Sequence, residues 1–433
     1  MMQSLLCIIW SVMVVPSISD TVETTDNLGK LVDLHANTST LVHVHAIWRH
    51  GLRTPVVLIP SDPLNGKSSW PQGLGELTVE GARQQYRLGE WLRQRYSGFL
   101  KPQVEPGEIY VRSSDYNRTL MSAQALLAGL YPANNDNSLS DRLKWWPLPV
   151  HTVRRATDEV LYDEIECPKA DREFQRIMST EPVLKVENEN AALIKLIAEK
   201  SGYDDFHMRK IWWIYDPLMA QRYHNDTHPF PSWVNETVWD GIVQLYNKVM
   251  YFCYSSNLFV RLHGGMLRRE IRNRLDRITQ NVTNRSEKMY AYSAHDLTVA
   301  PFLASMGIRP QIFPLYSTVV LLELHSVNNE FILKLFFKNT TDSPLLYEFP
   351  IVDCGSPCKI EQFLPAIDKY IPKDPRAECK LVGLNSAHQW ILIGVISLLS
   401  LITVIFGVIT IKGVISDLCG FKRRYRGRSI SDL

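Results

Sequence analysis

The chain has almost no surplus of charge: 47 Lys and Arg stand against 45 Asp and Glu over 433 residues, a formal net charge of +2. Even that excess sits at one end. The stretch from Lys412 onward holds six of the basic residues and two of the acidic ones, so everything before it carries −2. A body without a basic field has no compositional basis for binding nucleic acid, and affinity for an anion must come from a focused pocket. Metal ligands are scarce too. Cys354 and Cys358 have no second ligand pair after them, which gives a zinc site no support. His43 and His45 share one strand face, but no carboxylate or cysteine partner is near them in sequence. Internal repeats and low-complexity tracts are absent, and with 45% hydrophobic residues the chain can fill a core.

Two uncharged runs stand out. Met1 to Ser19 is apolar with small residues at Ser17 and Ser19, and reads as a signal peptide (1–19) cleaved near Asp20, although its start has no Lys or Arg. Trp390 to Ile411 is long enough to cross a hydrocarbon core of about 30 Å as one helix. The tail 412–433, with Lys422, Arg423, Arg424, Arg426 and Arg428, reads as cytoplasmic and suited to anionic headgroups. The expectation is a single-pass type I membrane protein whose N-terminal bulk is extracellular or luminal, at the cell surface or in a lysosome or endosome. Sequons at Asn37, Asn225, Asn235, Asn281, Asn284 and Asn339 fit glycosylation on that side. Asn117 also heads a sequon but falls at the start of an expected helix, and is expected to stay unmodified. Cysteine usage agrees with an oxidising compartment: Cys354 and Cys358 can pair across a Gly-Ser-Pro turn, and Cys253 is left over.

Along the chain, Leu41–Trp48 reads as a buried strand, Thr78–Tyr96 as a helix, Glu108–Val111 as a strand and Arg118–Leu130 as a helix. That βαβα pattern predicts a largely parallel sheet flanked by helices. Between residues 148 and 284 the strand signal fades into helical stretches, and strands return at Lys288–Tyr292, Ser317–His325 and Glu330–Lys338. The expected organisation is an α/β core in two parts, 38–147 and 285–384, interrupted by a smaller, mainly helical insertion, 148–284, with a transmembrane helix at 390–411.

At the end of the first strand run, Arg49-His50-Gly51-Leu52-Arg53-Thr54-Pro55 sets a histidine between two guanidinium groups. Three such groups converge sensibly around an anion. Phosphate suits the planar fork of arginine, and an imidazole nitrogen among such forks can attack phosphorus. Tyr292-Ser293-Ala294-His295-Asp296 follows a later strand, and Val111-Arg112-Ser113-Ser114-Asp115-Tyr116-Asn117-Arg118-Thr119 lies between the two. In these three segments, in this order, the chain resembles the histidine acid phosphatases of histidine phosphatase superfamily branch 2, over roughly residues 38 to 384.

The resemblance implies a phosphoglycerate-mutase-like core and an acid phosphatase acting on phosphate monoesters without metal or other cofactor. It assigns His50 as the nucleophile that becomes phosphohistidine, Asp296 as the acid for the leaving alcohol, and Arg49, Arg53, Arg112 and His295 as the phosphate cradle. Trp145, Tyr162, Trp212 and Trp213 match aromatic positions near the family's pocket. Cys167 with Cys379 resembles the family's long-range bridge, and relatives imply a homodimer. A further bridge of the mammalian secreted members has its two positions near Ala220 and Val319, where this chain has no cysteine. Leu52 replaces the aspartate common at that position, which opens the substrate preference. Three readings remain: a general acid phosphatase, a narrower lysophosphatidate or inositol phosphate phosphatase, and a catalytically idle adhesion or receptor ectodomain.

Overall fold

The computed structural model describes residues 29–134, 137–161, 166–224, 226–280, 287–309, 311–339, 344–381 and 386–426. The expected signal peptide 1–19, Tyr162, Asn225, Asn281, Asn284 and the end of the tail lie outside the described residues. The chain divides into two units, one ending at Cys379 and one beginning at Lys380.

In chain order the first unit opens with β1 (Lys30–Val32), β2 (Leu41–Arg49), α1 (Val79–Arg95), β3 (Ile109–Ser113), α2 (Asn117–Leu130) and β4 (His151–Thr152). Helices follow: α3 (Pro168–Met178), α4 (Glu181–Glu189), α5 (Ala191–Lys200), α6 (Trp212–Tyr223), α7 (Glu236–Tyr254), α8 (Asn257–Leu262) and α9 (Gly265–Thr279). The chain then returns through β5 (Met289–Ala294), α10 (Asp296–Ser305), β6 (Val319–Val327), β7 (Glu330–Lys338), β8 (Leu346–Phe349), β9 (Cys358–Lys359), α11 (Ile360–Asp368) and α12 (Pro375–Cys379).

These strands form one sheet in the order β1-β8-β7-β6-β2-β5-β3-β4, with β9 beside β7. The pairs β2–β5, β5–β3 and β3–β4 are parallel. The pairs β2–β6, β6–β7, β7–β8, β7–β9 and β1–β8 are antiparallel. The expectation of a largely parallel sheet therefore holds for the half beyond β2 and is corrected for the other. The reason is local: Asn328 and Asn329 both take left-handed φ, 50° and 62°, and a two-residue turn of that hand folds β6 directly back onto β7.

β2 is buried on both faces because helices cover both. Its alternate residues Val44, Ala46 and Trp48 pack with Leu88, Leu92, Leu126 and Leu127 of α1 and α2. Ile47, on the opposite face, joins the core shared with α6, α7, α9 and α10. His43 and His45 lie on that second face, 1% and 0% exposed, in a polar patch with Tyr290 and Tyr292. Burial lowers both histidine pKa values, His43 to about 4. α4, α6 and α8 go beyond the helices expected from sequence. Pro217 sits inside α6. The bridges Cys167–Cys379 and Cys354–Cys358 are both formed, and Cys253 is buried and free. Ala220 and Val319 are fully buried apolar residues.

The second unit contains α13 (Ser386–Arg426), in which Ile393–Ile415 is long and apolar enough to cross a membrane. That window lies a few residues beyond the expected 390–411. Val414 and Ile415 continue the apolar run past Lys412, the lone charge that marked its sequence boundary.

Candidate active site

Register brings the motifs together. Arg49 of β2 is paired with Ala294 of β5, and Ser113 of β3 with Ser293, so residues 50, 114 and 295 leave the sheet side by side at the carboxyl ends of three parallel strands. The His50 amide donates to the Ala294 carbonyl (3.0 Å) and the Ser114 amide to that of Ser293 (3.1 Å). A crevice beyond strand ends is where open α/β sheets hold ligands. The loop after His50 lies against the start of α1: a Cβ on Gly51 would meet the Gly81 carbonyl oxygen at 2.1 Å, so a side chain at position 51 would push the loop away. Thr78 caps α1 and also donates to the Leu52 carbonyl (3.1 Å).

His50 is 2% exposed, and its Nδ1 lies 2.8 Å from the Gly51 carbonyl oxygen, an acceptor. The ring proton must therefore be on Nδ1, which leaves the Nε2 lone pair available. The His295 ring stands edge-on at 5.6 Å between centroids. His295 Nε2 is 2.8 Å from Ser114 Oγ, which is 2.9 Å from Thr119 Oγ1, so Nδ1 is the nitrogen left for a ligand.

Four arginines matter here. Arg49 pairs with Asp296 (2.8 Å), donates to the Pro314 carbonyl (2.7 Å) and lies 4.1 Å above the Tyr316 ring. Arg53 pairs with the buried Asp216 of α6 at 2.6 Å, and the other Asp216 oxygen accepts the Val56 amide at 2.7 Å. Nε of both arginines is buried without a hydrogen-bond partner. Arg112 differs from its sequence assignment. It is held between Glu270 (2.8 Å) and Asp158 (2.7 Å) on the face toward α9 and does not figure among the charges acting on His50 or His295. Arg118, in the first turn of α2, takes that place. Burial first, and then Arg118 as the strongest of the neighbouring charges, drives both histidine pKa values well below 6.5.

The structure thus sets Arg118 rather than Arg112 among the charges acting on the two histidines. Arg112, one position before the end of β3, turns toward Asp158 and Glu270, whereas Arg118 stands in the first helical turn after the strand. The rule that ligands sit beyond strand ends could have found it.

Among the described residues, no ring contact joins the expected Trp145, Trp212 or Trp213 to His50 or His295. Trp145 is half-buried in the extended stretch before β4, Trp212 packs against the core, and Trp213 is 38% exposed beside Tyr203 and Lys210. The rings that do approach are Tyr316, 5.7 Å from His50, and Tyr116, 5.0 Å from His295. Neither position has a local sequence signal, because each is brought in by its loop.

Two neutral imidazoles beneath buried guanidinium groups, with an available Nε2 and a carboxylate alongside, form an anion pocket equipped for nucleophilic attack and proton transfer. Residues 40–337 match the model of histidine phosphatase superfamily branch 2. The chain belongs to that family, and it is a phosphatase. Among its relatives are a Caenorhabditis elegans protein named acid phosphatase 5, 40% identical over 87% of each chain, and prostatic acid phosphatase of Rattus norvegicus, 33% identical over 81% of this chain and 91% of that one. The fold is similar to that of a Hafnia alvei phytase, with TM-score 0.60 and 17% identity, covering 79% of this chain and 98% of that one.

Proposed function

We propose that the protein is a membrane-anchored acid phosphatase that hydrolyses phosphate monoesters through a phosphohistidine at His50. The observation that carries this is the bond from His50 Nδ1 to the Gly51 carbonyl, which presents Nε2 among Arg49, Arg53 and Arg118. The phosphoryl oxygens take up the guanidinium donors and His295 Nδ1. Nε2 attacks phosphorus, the ester P–O bond breaks, and Asp296 gives its proton to the departing oxygen. Asp296 then takes a proton from water, whose oxygen attacks phosphorus. The P–N bond breaks, and His50 and phosphate are released. In this structure Asp296 is paired with Arg49; a phosphoryl group competing for Arg49 frees that carboxylate to take up a proton from solvent, and this is the proton it gives to the departing oxygen.

The anchor in this reading is the apolar stretch of α13, and the bulk of the chain is luminal or extracellular, as the two disulfides and the sequons support. Asn117 is unmodified in this reading, since its amide donates to Glu76 and Thr119 is fully buried. Residues 148–284 act as the helical insertion that delivers Asp216 to Arg53.

Turnover of p-nitrophenyl phosphate by the detergent-solubilised protein, followed against pH, tests the proposal. A histidine with lowered pKa keeps its lone pair until the pH falls below that lowered value. The acid limb of the rate should therefore lie well under the ordinary histidine value of 6.5. Inactivity throughout, or an acid limb at 6.5, would contradict it.

A further inference from the structure

Arg112, displaced from the expected cradle, does something else. Its bond to Asp158 fixes a carboxylate whose Oδ1 also accepts the amides of Val160 and Leu161, at 3.0 and 3.1 Å. The turn before it, Arg155–Thr157, is thereby held against β3. Arg155 places its guanidinium 4.4 Å from the centre of the Tyr116 ring. Arg118 lies 4.2 Å from the same centre. Both cations therefore lie within stacking distance of the one ring, Arg118 half-buried and Arg155 exposed. The edge of that ring meets His295.

The cluster leads outward from the histidines: Tyr116 meets His295, Arg118 and Arg155 both lie over its ring, and Arg155 is the exposed member. Stacking on the ring occupies the flat face of Arg155 and leaves its donor edges outward, and among the described residues no side chain accepts from them. Among the described residues no carboxylate pairs with this arginine, whereas Arg49, Arg53 and Arg112 each have one.

We propose that Arg155 is a second anion-recognition residue, and that the enzyme favours compact phosphate monoesters carrying another negatively charged group about two stacking distances from the scissile phosphoryl. This rests on the phosphatase reading. A substrate phosphoryl at His50 faces Arg118, and a second phosphate or carboxylate on the leaving group reaches past Tyr116 to the Arg155 fork. Arg155 touches neither the reacting phosphoryl nor the leaving oxygen, so it sets affinity for the substrate's far end and leaves the chemical step unchanged.

The test compares butane-1,4-diol bisphosphate with butyl phosphate, two alkyl esters differing in the second anion, on the full chain in detergent. Wild type should prefer the bisphosphate in kcat/KM. Arg155→Ala should lower that value about tenfold through KM, the scale of a charge-assisted hydrogen-bonded pair. It should leave butyl phosphate and p-nitrophenyl phosphate unchanged, which also reports intact folding. Arg155→Lys should restore part of the preference, and added salt should erode it. Equal rates for the two substrates in wild type, or an equal fall on both in Arg155→Ala, would overturn the subsite while leaving the phosphatase standing. Failure of wild type to turn over p-nitrophenyl phosphate would overturn the phosphatase reading itself, and the subsite with it.

Discussion

Replacing Asp296 with asparagine is expected to slow hydrolysis of an alkyl phosphate by roughly 10²–10⁴-fold, the usual scale of general acid catalysis, and to slow that of p-nitrophenyl phosphate far less. An alkoxide is a poor leaving group without a proton, whereas p-nitrophenolate departs unaided. Asparagine is the appropriate replacement because Asp296 also accepts the Leu297 amide at 2.8 Å at the start of α10, and the side-chain oxygen of asparagine keeps that bond. What is lost is the transferable proton and the charge facing Arg49. Paired rates on the two esters, at matched folded protein, make the comparison. Equal losses on both would reject Asp296 as the acid and assign it to holding Arg49.

The second large effect separates two arginines six sequence positions apart. Arg118→Ala should reduce kcat by about 10²–10³, the cost of removing one preorganised donor from a developing oxyanion. Arg118 is the strongest charge acting on both His50 and His295, so its loss should also raise both histidine pKa values and move the acid limb upward in pH. Arg112→Ala should instead lower the melting temperature, because Asp158, 1% exposed, and Glu270 would lose their shared cation. Below its melting point, that variant should retain p-nitrophenyl phosphate turnover within a few-fold of wild type. The reverse pattern, with Arg112→Ala inactive and Arg118→Ala active, would restore the sequence-based assignment.

Much of the site was legible because its parts are local. A strand run ending in Arg49-His50-Gly51 and another ending in Ala294-His295-Asp296 predict convergence, and the register Arg49 to Ala294 delivers it. The Cys354–Cys358 pair and the apolar helix were legible for the same reason, whereas Cys167–Cys379, 212 positions apart, came from the family resemblance. What was hidden depends on contacts distant in sequence. Asp216 reaches Arg53 from α6, more than 160 positions further along the chain. Tyr316 lies over Arg49 through a loop with no pattern of its own. The choice between Arg112 and Arg118 turned on which side of a strand end each occupies, and a motif written in one dimension does not carry that. The antiparallel half of the sheet depended on two asparagines in left-handed geometry, which composition alone does not announce.

The central claim is covalent attack by His50 Nε2, and trapping the intermediate tests it most directly. Protein turning over 32P-labelled p-nitrophenyl phosphate would be denatured rapidly in alkali, digested and mapped, with His50→Ala alongside. The account predicts an acid-labile, alkali-stable label on the peptide containing His50, and neither label nor turnover in His50→Ala. A label on His295 or on a serine or threonine, or undiminished turnover in His50→Ala, would contradict it.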